Sequence, residues 1–177
     1  MKGWARILRL AEVHLPSWAV VTSARRAHIE RVATLMDEWA AARQVSAAER
    51  ARWGRAAWLH DALRDAPAAD EMDHGPRCAE RLAHEGERDQ GLLDAVRFHS
   101  VGYAGWDDVG RMLYLADHLE PGRPHDRETR AALRARVAAE RDAVLVEVAR
   151  RRIEWTLRSG WPLRPETVAF WNALVTS

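Results

Sequence analysis

The stretch Ala56-Ala57-Trp58-Leu59-His60-Asp61-Ala62-Leu63-Arg64 sets an imidazole and a carboxylate side by side where an otherwise apolar helix enters a core. Burying two such polar groups is costly unless something satisfies them. A cation would do so, because an imidazole and a neighbouring carboxylate can grip one ion together. The doublet alone is weak. Eight His and twelve Asp in 177 residues give about half a His-Asp pair by chance, the risk that any short motif carries. His125-Asp126 is a second such pair, so the surrounding segments and the other histidines must decide.

Upstream of the doublet, Ala24, His28, Val32, Leu35, Met36, Trp39 and Ala40 recur at intervals of three and four, which predicts a helix over about 25–43 with His28 on its apolar face. Ser46-Ala47-Ala48-Glu49 has the form of a capping box. It opens a helix carrying Trp53, Ala56, Ala57, Leu59, His60 and Leu63, expected to run close to Pro67. Downstream, 70–73 reads as a loop. His74-Gly75-Pro76 starts another helix, with Cys78, Ala79 and Leu82 inward and Gly86 as its stop. Leu92, Leu93, Ala95, Val96 and Phe98 lead into His99-Ser100, followed by a segment with Gly102, Gly105 and Gly110. Met112, Leu113, Leu115 and Ala116 then run apolar into Asp117, a second carboxylate where a core residue would be expected.

The charged span 126–158 is long enough for two helices with a break near Ala138, and Pro165 begins a last helix with Val168, Ala169, Trp171 and Leu174 on one face. Nothing alternates at period two, and no hairpin signal occurs. The expected fold is all-α, a compact bundle of about seven to nine helices. One domain is expected over 1–177, its motif-bearing part at about 25–125 and the C-terminal helices 126–177 packed on it. Residues 1–24 are the least readable: Ile7 to Val13 could form a short amphipathic helix closed by Pro16.

Composition narrows the function. The chain is 47% hydrophobic and 30% charged, which is globular rather than disordered. A net charge of +1 provides no field toward nucleic acid or an anionic membrane. Cys78 is the sole cysteine, so there is neither a disulfide framework nor a thiolate zinc site, as suits a reducing cytoplasm. No apolar run reaches the roughly 18 residues of a spanning helix, and Arg6 and Arg9 interrupt any secretory signal. His14 and His84 read as surface residues, His118 lies on a different face from Asp117, and Arg150-Arg151-Arg152 reads as a solvated face. Nine tryptophans leave some to be exposed, which makes a homodimer interface plausible.

Six polar residues remain at apolar helix ends or faces: His28, His60, Asp61, His74, His99 and Asp117. This nitrogen and oxygen set suits a dinuclear iron, manganese, cobalt or zinc site and disfavours calcium, which prefers oxygen throughout.

Here the chain resembles the HD-domain metal-dependent phosphohydrolases, and within them the bacterial YqeK-like symmetrical diadenosine tetraphosphate hydrolases. The shared residues are Arg25-x-x-His28 with Val32, Leu59-His60-Asp61, His74-Gly75-Pro76 and Arg97-x-His99-Ser100. They continue with Ala116-Asp117-x-Leu119-Glu120-Pro121-Gly122-Arg123, Pro165-x-Thr167 and Asn172. Arg64 stands where the family commonly has lysine, and Ser100 where it has threonine. The resemblance implies that His28, His60, Asp61 and Asp117 bind one metal, that Asp61 bridges to a second, and that His74 and His99 complete that second site. It implies a metal pair, iron foremost, and symmetrical cleavage of the tetraphosphate to two ADP around Asp61, His60 and Arg64. Such clustered cations acidify water and neutralise phosphoryl charge. Arg64, Arg123 and Arg25 are the candidates to hold phosphate oxygens of the nucleotide through forked hydrogen bonds. Glu120 is expected to anchor the loop after Asp117, and Tyr103 or Trp106 could stack on a base. Two alternatives stay open: the same chemistry on a nucleoside monophosphate or guanosine alarmone, and a non-catalytic module that senses a nucleotide or holds a structural metal.

Overall fold

The computed structural model describes residues 15–176; His14 and the short segment around Ile7–Val13 lie outside the described residues. Side-chain oxygens fix where the helices begin. Thr22 caps α1 (Ser23–Ala42), accepting from the Arg25 N–H at 3.2 Å. Ser46 caps α2 (Ala47–Leu59), accepting from the Glu49 N–H at 3.1 Å. Only half of the capping box forms, because the Glu49 carboxylate turns to the Trp53 indole (2.8 Å) and Arg52 (3.2 Å). A 3₁₀ turn, Glu71–Asp73, leads into α3 (His74–His84). Asp89 caps α4 (Gln90–Phe98), and Asp107 caps α5 (Asp108–Leu119). The chain closes with α6 (Arg127–Arg158) and α7 (Pro165–Thr176). There is no strand among the described residues, and none of these helices is long and apolar enough to cross a membrane.

Helix α5 is the centre of the bundle. Nine of its twelve residues are buried, from Val109 to Leu119, as befits a helix that is apolar around its whole circumference. It packs against α1, α2, α4 and α6, while α3 and α4 pair with each other and α7 rests on α6. The core they enclose includes Val32, Met36, Trp53, Leu92, Met112, Leu115 and Leu145.

Two expectations change and a third is met. Helix α2 ends at Leu59, well before Pro67, because the segment before α1 captures its backbone groups. Val20 N–H donates to the Ala62 carbonyl (2.8 Å) and the Asp65 N–H donates to the Val20 carbonyl (3.3 Å), while residues 62–66 tighten into three-residue turns. The break expected near Ala138 is present: α6 is two helical segments joined across a kink at Glu140 (φ −126°, ψ 38°), two residues further on. On α7, Val168 and Ala169 are exposed, and Phe170 faces inward. Its ring fills the space over Gly102, where a Cβ would lie 2.3 Å away, and Gly102 has φ +88°. Only glycine suits both conditions.

Candidate metal centre

The structure brings His28, His60, Asp61, His74, His99 and Asp117 into one buried cluster, each at most 7% exposed. They come from five places: the early turns of α1, the turn that ends α2, the start of α3, the end of α4, and the last turn of α5.

Ring orientation is fixed from behind. The Nδ1 atoms of His60, His74 and His99 lie 2.7, 2.6 and 2.8 Å from the carbonyl oxygens of Ala57, Glu71 and Val96. A carbonyl only accepts, so each Nδ1 donates there and Nε2 is the ring nitrogen left to face the centre. His28 Nδ1 donates in the same way to Glu120 Oε1 at 3.2 Å. All four Nε2 atoms point inward: those of His74 and His99 are 3.0 Å apart, and those of His28 and His60 are 3.4 Å apart.

Asp61 lies between the two pairs. Its Oδ1 is 3.3 Å from Nε2 of both His74 and His99, and its Oδ2 is 3.7 and 3.6 Å from Nε2 of His28 and His60. Asp117 Oδ1 is 3.1 Å from His28 Nε2. His28, His60 and Asp117 form one group whose donor atoms could hold a metal ion together, and His60, Asp61 and His99 form another. Converging lone pairs and carboxylates repel one another unless positive charge sits among them, so the donor chemistry fits a cation on each side of Asp61.

Without a cation, protons and guanidiniums supply that charge. Burial lowers the basicity of His28, but hydrogen bonds to Asp117 and Glu120 outweigh it and raise its pKa to about 9. Burial pushes His60 the other way, to about 4. Asp61 is held well below the usual carboxylate range despite its burial, by His60, His74 and His99, and Asp117 likewise by Arg123 and His28. Arg25 Nη1 donates to Asp61 Oδ2 at 2.7 Å, and Arg123 Nη2 donates to Asp117 Oδ1 at 2.5 Å. Arg64 stands at the mouth and donates to the Glu71 carbonyl at 3.1 Å. A cavity of about 280 Å³ opens here, lined by Arg25, Arg64, Asp65, Glu71 and His74 among others. A larger cleft of about 390 Å³, beside Trp18 and Arg81, contains none of the six residues.

Glu120 does more than anchor its loop. It accepts from the Gly122 N–H at 2.6 Å, as expected, but it also orients His28 and accepts from Arg31 Nε at 2.5 Å. Its pKa falls to about 2: burial opposes the shift, and His28, Arg31 and the Gly122 N–H overcome it. The pairing partner was hidden because 92 residues separate Glu120 from His28. Trp106 and Arg152 depart from the sequence reading. Trp106 is 4% exposed and packs among Tyr114 and Phe170, with its indole N–H on the Asp94 carbonyl (3.1 Å), so it cannot meet a base. Tyr103 is stacked on Phe98 with ring centroids 4.5 Å apart. Arg150 pairs with Glu154 and Arg151 with Asp126, both on the outside, whereas Arg152 turns inward to the Ser100 carbonyl at 2.6 Å. His84 is exposed, and His118 faces Arg152 rather than the cluster.

No family model matches the chain. It is 27% identical over 107 residues to the symmetrical bis(5'-nucleosyl)-tetraphosphatase of Halalkalibacterium halodurans, a match covering 60% of this chain and 56% of that protein. It is 28% identical over 109 residues to the protein of the same name from Bacillus subtilis, with the same coverage. The namesake from Staphylococcus aureus is 37% identical over 54 residues, 30% of this chain and 28% of that protein. The chain thus spans about half the length of the curated relatives it matches. In fold it is similar, with a TM-score of 0.74 and 21% identity, to a crystal structure from Clostridium acetobutylicum described as a predicted HD superfamily hydrolase involved in NAD metabolism. That likeness covers 88% of this chain and 91% of the other. In fold the chain is similar to a predicted HD superfamily hydrolase, and over its matched segments it is similar to the symmetrical bis(5'-nucleosyl)-tetraphosphatases.

Proposed function

We propose that this protein is a metal-dependent phosphohydrolase that cleaves diadenosine tetraphosphate symmetrically to two ADP. The observation that carries the reading is the inward convergence of four Nε2 atoms, with one oxygen of Asp61 toward each pair. His28, His60, Asp61 and Asp117 would hold one cation; Asp61, His74 and His99 would hold the other. A cation pair bound there would supply Lewis acidity toward phosphoryl oxygens and lower the pKa of water.

The chain's own residues do the rest. The backbone carbonyls behind His60, His74 and His99 accept the Nδ1 proton and aim each Nε2 at the centre. Arg25 and Arg123 already donate to Asp61 Oδ2 and Asp117 Oδ1, the oxygens that face His28, so a phosphate arriving beside those carboxylates meets two guanidinium forks. Arg64 is held at the cavity mouth by Glu71, whose side chain is 87% exposed, and can turn from it to a substrate phosphate. No protein nucleophile is needed. Cys78 is excluded as one, since burial raises its thiol pKa to about 12.

Iron is the first choice of metal, and manganese, cobalt or zinc would suit the same donors. The cytoplasm, where nucleotides and reduced thiols coexist, is the compartment we assign, and the whole chain is read as one domain. A homodimer belongs to the reading too: Trp155 and Trp161 stand more than half exposed near the end of α6, and light scattering would test it. The deciding experiment is product analysis with diadenosine tetraphosphate and added manganese or iron. Two equivalents of ADP support the proposal. ATP plus AMP, or turnover confined to a nucleoside monophosphate or guanosine alarmone in a parallel panel, replaces it.

A further inference from the structure

Three arginines converge on the Asp117–His118 pair. Arg123 donates to the Asp117 carbonyl from Nε (3.1 Å) and Nη2 (2.9 Å), and to its Oδ1. Arg130 donates from Nη1 to the His118 carbonyl and from Nε to the His125 carbonyl at 3.0 Å. Arg152 donates from Nη2 to the Ser100 carbonyl and from Nη1 to His118 Nδ1 at 3.4 Å, its guanidinium lying 5.4 Å over the Tyr114 ring.

The charge around them is not balanced. Neither Arg130 nor Arg152 makes an ion pair with a carboxylate among the described residues. Asp126, close enough to act on Arg130, is bonded to Arg151 at 3.2 Å. His118 supplies no carboxylate either; its Nδ1 accepts from Arg152. Of the three guanidiniums only that of Arg123 is ion-paired, to Asp117, while Asp61, Glu120 and Asp126 act on Arg123 and Arg130 from further away. Like charges gathered this way are unfavourable unless an anion joins them. None of the three is fully buried: the Arg123 side chain is 35% exposed, and Arg130 and Arg152 are intermediate. Arg130 Nη2 makes no hydrogen bond among the described residues, so it has donors to spare.

The location gives the cluster a purpose. It borders one proposed metal position at Asp117. It borders the other at Ser100, which follows His99 and whose Oγ is 3.4 Å from His74 Nε2. We propose that Arg123, Arg130 and Arg152 form a second anion subsite beside the metal centre, holding the phosphates of the departing nucleoside diphosphate. The inference rests on the phosphohydrolase reading above, and it assigns Arg130 and Arg152 as specificity residues for a chain of phosphates over a single one.

The test compares wild type with R130Q, R152Q and R152K, each loaded with manganese. Calorimetric titration with inorganic tripolyphosphate reads the subsite without turnover, and circular dichroism reads the fold. R130Q and R152Q should each weaken tripolyphosphate binding by about tenfold, the loss expected for one charged hydrogen-bonding group, with R152K retaining most of the affinity. They should raise KM for diadenosine tetraphosphate with kcat nearly constant, and leave p-nitrophenyl phosphate hydrolysis within about twofold. Unchanged tripolyphosphate binding in R130Q overturns the proposal, as does equal loss on both substrates in a folded variant. If R152Q fails to fold, R130Q and R152K decide. Should wild type turn over no nucleotide, the functional reading fails on its own, and the tripolyphosphate titration still judges the subsite.

Discussion

Gly75 is where the backbone decides whether the proposed second metal position can form. It follows His74 at the start of α3, and its Cα lies against the end of α4. A Cβ built there would sit 2.7 Å from the Arg97 carbonyl oxygen and 2.9 Å from that of Val96. Neither atom can swing aside, since both are backbone. Restoring an ordinary contact of 3.4 Å requires the two helices to separate by about 0.7 Å. Gly75→Ala should therefore cost about 1–3 kcal/mol, the usual range for overpacking a tight site. The same displacement carries His74 away from His99, whose Nε2 atoms are 3.0 Å apart. Metal sites tolerate about 0.2 Å of misplacement. Metal titration followed by denaturation should show one position lost, the one nearer His28 kept, and the denaturation midpoint lowered. A variant with wild-type stability and both ions bound would refute the claim that this close approach sets the His74–His99 geometry.

Glu120→Gln puts an amide NH₂ where both carboxylate oxygens face donors, from His28, Arg31 and Gly122; it should weaken metal binding by about 10–100-fold, measured by competitive chelator titration. In metal-free protein, His28 is raised to about 9, so its contribution, on the order of 3 kcal/mol, is complete below pH 6.5 and fades as pH climbs through 9. Chemical denaturation across that window checks it, and a flat profile would show that His28 is not protonated there. Gly102→Ala meets Phe170 at 2.3 Å with φ +88° and should lower stability by roughly 1–3 kcal/mol. An unchanged midpoint would mean that α7 does not rest on this residue. Asp61→Asn should abolish turnover while leaving the far-ultraviolet dichroism in place; undiminished activity would remove Asp61 from its bridging role.

The parts of this molecule that were legible in the sequence are those governed by local pattern. The apolar period from Val32 to Ala40, the Ser46 cap and the proline at α7's start all act within one or two turns, and each helix they imply is present. The six cluster residues were conspicuous because polar groups interrupt apolar faces. What escaped notice depends on distant partners. Helix α2 stops early because Val20 takes up its backbone groups from some forty residues away. Nothing near Phe170 announces that it faces Gly102, since apolar residues surround α7. Arg152 looks like its two solvated neighbours until the carbonyl of Ser100 is placed beside it.

The central claim is that Asp61 stands between two cations. Anomalous diffraction from crystals grown with manganese addresses it directly. The account predicts a pair of peaks, one among His28, His60, Asp61 and Asp117, the other among Asp61, His74 and His99. A map without a peak at either place, under conditions that saturate binding in solution, would contradict it.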